Sequence, residues 1–151
     1  MLRALLFLCV VSAALGSETL DVLVKAAASF SATIQQQLET LQSDPSPEEI
    51  ADKTIDYSEA KTAYFKALRA EMPEAMNIAK GEATGHPELD SFAAAFAVAD
   101  EDQEKTADNE TAVLLKRYSG NPDVEKATVE FQRAKVVEEK FHKDFDGFNI
   151  N

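Results

Sequence analysis

The sequence has a single cysteine, Cys9, no tryptophan, and only five glycines and five prolines in 151 residues. One cysteine forms no intrachain disulfide, so the fold must hold by packing alone. The sequence also lacks a G-x-S-x-G elbow, an H-E-x-x-H pair and a glycine-rich phosphate loop. Histidine is nearly absent, with His86 and His142 as the two examples. The chain is therefore expected not to be an enzyme and to need no cofactor or metal. The alternation of apolar and polar residues that marks a half-buried strand is also missing.

Positive charge is the other shortage. Fifteen lysines and arginines stand against 27 aspartates and glutamates, for a net charge of −12. Such a surface repels phosphate backbones and anionic lipid, which argues against nucleic acid and favours a protein partner with a basic surface. The apolar run Ala4 to Val11 is too short to span a bilayer and no later segment is long or apolar enough, so no stable membrane insertion is expected.

That run has the character of a secretory signal. Arg3 precedes it, small residues follow it, and Ala14 and Gly16 sit at −3 and −1 of a cut before Ser17. Residues 1–16 are read as a signal peptide and 17–151 as one domain. Cys9 leaves with the signal, and without Arg3 the charge becomes −13 from 14 bases and 27 acids. A soluble, secreted, extracellular protein is expected.

The domain reads as helical throughout. From Thr19 to Ser43 the apolar residues Leu20, Leu23, Ala27, Phe30, Ile34, Leu38 and Leu41 recur at helical spacing. This is the clearest stripe, and the rest of the chain is expected to pack around it. Asp44-Pro45-Ser46-Pro47 ends it, and Ser46 with Glu49 makes a capping box for a second helix, Pro47 to about Lys80. Its stripe includes Ile50, Tyr57, Tyr64, Leu68 and Met72, and Pro73 is expected to kink or break it. A third helix opens after His86-Pro87 and runs to Tyr118. Its middle, Asp100 to Thr111, has only Ala107 as an apolar residue, yet no glycine or proline interrupts it, so it reads as continuous. Gly120-Asn121-Pro122 is a helix stop and start. The fourth helix, Pro122 to about Asp146, carries Val124, Ala127, Phe131, Ala134, Val137, Phe141 and Phe145. An all-α, antiparallel up-and-down bundle of about four helices follows.

Candidate sites are few. Asn109-Glu110-Thr111 is a glycosylation acceptor in the most polar stretch, so Asn109 should be exposed. Asp100, Glu101, Asp102 and Glu104 fail as a calcium loop, because Lys105 stands where glycine is needed and Thr111 where glutamate is needed; they read as a solvated acidic face. Glu139 and His142 form one Glu-x-x-His pair without the second that di-iron bundles use, and His142 reads as lying on the wet face. Phe92, Phe96, Phe131, Phe141 and Phe145 gather on the last two helices, where they form either an ordinary core or the lining of a hydrophobic cavity. Two functions fit. One is a non-enzymatic interaction module for another protein. The alternative is an extracellular carrier of a small hydrophobic ligand, a lipid or fatty acid, held in the bundle core.

Overall fold

A computed structural model describes residues 18–81, 92–95 and 101–145. Among them are four long helices: α1 Glu18–Gln42, α2 Pro47–Gly81, α3 Glu101–Arg117 and α4 Pro122–Asp144. Residues 92–95 are also helical, and no strand occurs among the described residues. The fold is an all-α bundle. No helix among the described residues is long and apolar enough to cross a membrane.

Side-chain pairs give the helix directions. Gln37 meets Thr54 while Phe30 stacks on Tyr64, so α1 and α2 run antiparallel. Tyr57 meets Asp108 and Lys61 meets Glu104, so α2 and α3 are antiparallel too. Lys61 reaches Glu138, Phe65 reaches Phe141 and Arg69 reaches Asp144, which makes α2 and α4 parallel. The directions alternate along the chain as an up-and-down bundle requires. The most extensive pairing, however, joins the parallel helices α2 and α4. The small side chains of Ala127 and Ala134 on the buried face of α4 permit that approach.

The organising helix is α2, and this corrects the weight given to the first stripe. It packs extensively on both α1 and α4 and also touches α3, whereas among the described helices α1 touches α2 and α3 but not α4. Its buried residues therefore cover more than one stripe: Thr54, Ser58, Lys61 and Phe65 are enclosed along with Ile50, Tyr57, Tyr64, Leu68 and Met72. Phe30 of α1 sits against Tyr57, Tyr64 and Phe65 at 5.3–6.3 Å between ring centres, and this is the aromatic heart of the core. The α2 helix runs through Pro73 to Gly81, so of the kink or break expected there a break does not occur. One lost backbone bond is tolerated where Leu68 and Met72 anchor the preceding turns in the core.

The helix ends follow their signals. Ser46 Oγ accepts from the Glu49 amide at 3.1 Å, and Asp44 turns the chain with a positive φ of 54° that aspartate tolerates. Asn121 Oδ1 accepts from the amides of Asp123 and Val124 at 2.9 and 3.3 Å, with Pro122 as the first helical residue. Asn121→Ala should therefore destabilise the protein by about 1 kcal/mol in urea unfolding, and an unchanged midpoint would show the cap to be dispensable.

In α3 the polar middle is helical from Glu101 onward. Whether it joins the helical residues 92–95 falls on residues 96–100, outside those described.

Candidate functional site

Of the acidic residues expected on a solvated face at the start of α3, Glu104 is buried instead. Glu104, Ala107, Asp108, Thr111, Leu114 and Leu115 are all buried at helical spacing. The stripe is present but half of it is written in polar residues, so a pattern of apolar residues does not reveal it. Glu101 and Asp102 are exposed as expected, and Asp100 lies outside the described residues.

The buried polar residues meet a lysine. Lys61, on the central helix, is 1% exposed. Its Nζ lies 2.9 and 2.8 Å from the two carboxylate oxygens of Asp108, 3.0 Å from Glu104 Oε1 and 3.2 Å from Glu138 Oε1. Tyr57 donates its hydroxyl to Asp108 Oδ1 at 2.7 Å, and the ammonium stands 5.4 Å from the Tyr57 ring centre. Four groups from α2, α3 and α4 thus converge on one cation. The carboxylates of Glu104, Asp108 and Glu138 lie within 4.8 Å of one another, a spacing that would suit a metal ion, but the Lys61 ammonium already occupies the position of the cation.

Three carboxyl groups exceed one ammonium, and a proton takes up part of the excess. Burial pushes Glu104 up to about 8, helped by its hydrogen bond to Glu138 and opposed by Lys61. Burial acts on Glu138 in the same direction, but the hydrogen bond from Glu104 and the Lys61 charge outweigh it and hold Glu138 below the usual carboxylate range. Glu104 is thus the acid and Glu138 the carboxylate of a hydrogen-bonded pair. Burial pulls Lys61 down, but Asp108, Glu104 and Glu138 outweigh it and keep the lysine charged above its ordinary value. Burial raises Tyr57 as well, with Asp108 adding to the effect.

A second buried junction lies nearby. Gln37 donates to Thr54 Oγ1 at 3.1 Å and to Thr111 Oγ1 at 2.9 Å, which ties α1 to α2 and α3. Its Oε1 finds no hydrogen-bond donor among the described residues. The first stripe turns toward this junction: Gln37 is 1% exposed, while Leu38 and Leu41 are only half-buried.

Chemically the lysine cluster is closed. A permanently charged, enclosed lysine is neither nucleophile nor base, and its work is to hold three helices in register.

The residues singled out from the sequence are dispersed. Asn109 is exposed on α3, as expected, although Thr111 of the same acceptor triplet is fully buried. His142 is exposed, as its reading on the wet face expects, and Glu139 is exposed beside it. It is Glu138, one position before, that points inward. The aromatic set does not converge. Phe92 is buried in the main core, Phe96 lies outside the described residues, and Phe141 packs at a tilt against Phe65 with Phe145 against Phe141. Phe131 faces a different neighbourhood. It lines an open groove of about 440 Å³ between α3 and α4, with Leu115, Lys116 and Lys135.

The outer side of α4 shows a further pattern. Lys126, Val129, Arg133, Val136, Lys140 and Lys143 recur at steps of 3, 4, 3, 4 and 3, and all are exposed. Val129 and Val136 are 47% and 63% exposed, on a helix whose opposite face is buried. A second open groove of about 590 Å³ runs beside this row, lined by Thr62 and Lys66 of α2 and by Val129, Arg133, Val136 and Val137 of α4. The 3–4 spacing is legible in the sequence, but the stronger inward stripe on the same helix masks it. Val22, Val24 and Val113 are also exposed, but they do not share a row.

No protein-family model, curated protein or solved structure matches this chain.

Proposed function

We propose that the protein is a secreted, non-enzymatic interaction module and that the outer row of α4 is its contact face. The observation that carries this is the pair Val129 and Val136, exposed seven residues apart on one helical row and flanked by two open grooves. An apolar row at coiled-coil spacing on an otherwise soluble surface fits a partner helix. Export rests on residues 1–16, with their basic start, apolar run and small-residue cut.

The carrier reading has less support. Tyr57, Phe30, Lys61 and Phe92 are among the largest side chains that are fully enclosed, so bulky groups and a charged cluster occupy the interior. An apolar ligand there would have to displace ionised groups from their partners.

The test is a pair of measurements on protein recovered from its native source. Mass spectrometry of an organic extract should find no stoichiometric lipid. A partner crosslinked to the wild type should be lost from the Val129→Asp/Val136→Asp variant, whose fold is checked by circular dichroism. One lipid per chain, indifferent to the valine changes, would establish the carrier instead.

A further inference from the structure

The row on α4 is not only apolar. Lys126, Arg133, Lys140 and Lys143 alternate with its two valines. Lys116 and Lys135 line the groove on one side, and Lys66 lines the groove on the other. The facing carboxylates are Glu125, Glu130 and Glu139. With exposed Glu59, on the same side of α2 as Lys66, and Asp123, one turn before Lys126, seven cations stand against five carboxylates, which leaves this face locally positive on a chain whose net charge is −12. Arg133 pairs with Glu130 at 2.8 Å, but both side chains are exposed and such a pair is weak enough to exchange partners. Asp144, at the far end of the helix, is taken by Arg69 of α2.

Resting on the reading of α4 as the contact face, we infer that its partner segment is an acidic amphipathic helix, with carboxylates meeting Lys126, Arg133 and Lys140 and aliphatic side chains meeting Val129 and Val136. Range decides between anionic partners. Charges in water are screened over roughly 8 Å at physiological ionic strength. A helix about 10 Å across, laid along the row, samples the local positive strip. An anionic membrane is flat and extended, so it also meets the acidic remainder of the molecule, and valine anchors poorly at an interface that favours aromatic residues and leucine. A second copy offers the acidic row Glu49, Asp52, Asp56 and Glu59 on α2, but the aliphatic side chain lining the groove beside it, Ile55, is half-buried and single, whereas the α4 row presents two exposed valines.

The test uses a designed helical peptide of about three heptads, with glutamate at one core position and leucine at the other. It should bind the protein, more tightly as salt is lowered, and its lysine counterpart should not. Lys126→Gln/Arg133→Gln/Lys140→Gln should weaken binding at least about tenfold while leaving thermal unfolding intact. Equal binding of the lysine peptide would overturn the inference. So would vesicles of phosphatidylserine and phosphatidylcholine that bind where the acidic peptide does not, or dimers in sedimentation that the glutamine variant dissolves. The native partner separates this inference from the reading beneath it. If the aspartate variant loses that partner and the glutamine variant keeps it, the face stands and its charge complementarity falls. If neither variant loses it, both fall.

Discussion

Lys61→Met should destabilise the protein by about 3–5 kcal/mol, measured by urea unfolding at neutral pH. Methionine matches the lysine stem in volume, so the loss is electrostatic and not a cavity. It leaves Asp108, Glu104 and Glu138 facing one another without the ammonium that lies within 3.2 Å of each. All three side chains are nearly enclosed, at 11–13% exposure, so water cannot replace the lost charge cheaply. The cost is a large share of the roughly 5–15 kcal/mol that a domain of this size possesses. Replacing the whole cluster tells a second thing. Lys61→Met combined with Glu104→Leu, Asp108→Leu and Glu138→Leu should recover most of the loss, because a packed apolar core can equal a buried ion cluster. Its remaining deficit is the Tyr57 hydroxyl, which no longer has Asp108 to receive it. A single variant as stable as the wild type would show that the cluster does not hold the three helices.

Stability should fall as pH rises from about 5 to about 8, by at most roughly 1.4 kcal/mol per pH unit. In the folded protein Glu104 keeps its proton up to about 8, whereas its ordinary value is 4.5. Between those values the native state binds a proton that the unfolded chain has released. Raising pH therefore favours unfolding across that window and stops doing so above it. Glu138 acts in the opposite sense: it is held below 4.5, so the stability it contributes is present above that value and is lost as pH falls through its folded value. Optimal stability is therefore expected in mildly acidic solution. Beyond pH 10 a further loss is expected, since the unfolded chain releases protons that Tyr57, Tyr64 and Lys61 keep in the fold. Thermal unfolding from pH 4 to pH 9 checks the central window, and Glu104→Gln should flatten it. A wild type whose midpoint is level from pH 5 to pH 8 would show that the pair holds no extra proton.

The two predictions concern Lys61, which sequence reasoning did not single out, and Glu104, which it placed on a solvated face, while other features were legible. The helix boundaries at Ser46-Pro47 and Asn121-Pro122 follow from local chemistry: a side-chain oxygen that caps free amides and a proline with no amide to waste. The inward stripes of α1 and α4 follow from apolar spacing, and Leu23, Phe30, Ile34, Val124 and Phe131 are buried where that spacing puts them. Asn109 is exposed as its polar surroundings suggest. These are one-dimensional facts, because a single helix carries its own period and its own ends.

Tertiary structure alone decided which helix is central and which charges are inside. A buried lysine looks like an exposed one until three carboxylates from two other helices are brought around it. Lys61 is followed by Glu104 and Asp108 more than forty positions later and by Glu138 beyond those, and no local pattern links them. Gln37 rather than Leu38 turns inward because Thr54 and Thr111 offer it hydrogen bonds there. Burial of a polar group is a property of its partners, which the fold assembles, whereas burial of an apolar group follows from its own dislike of water. The sequence by itself therefore determined that this chain forms amphipathic helices and where α2 and α4 begin. Only their packing decided that α2 stands at the centre, that its lysine holds it to α3 and α4 while a proton is shared between those two helices, and that a basic, valine-bearing row of α4 faces outward.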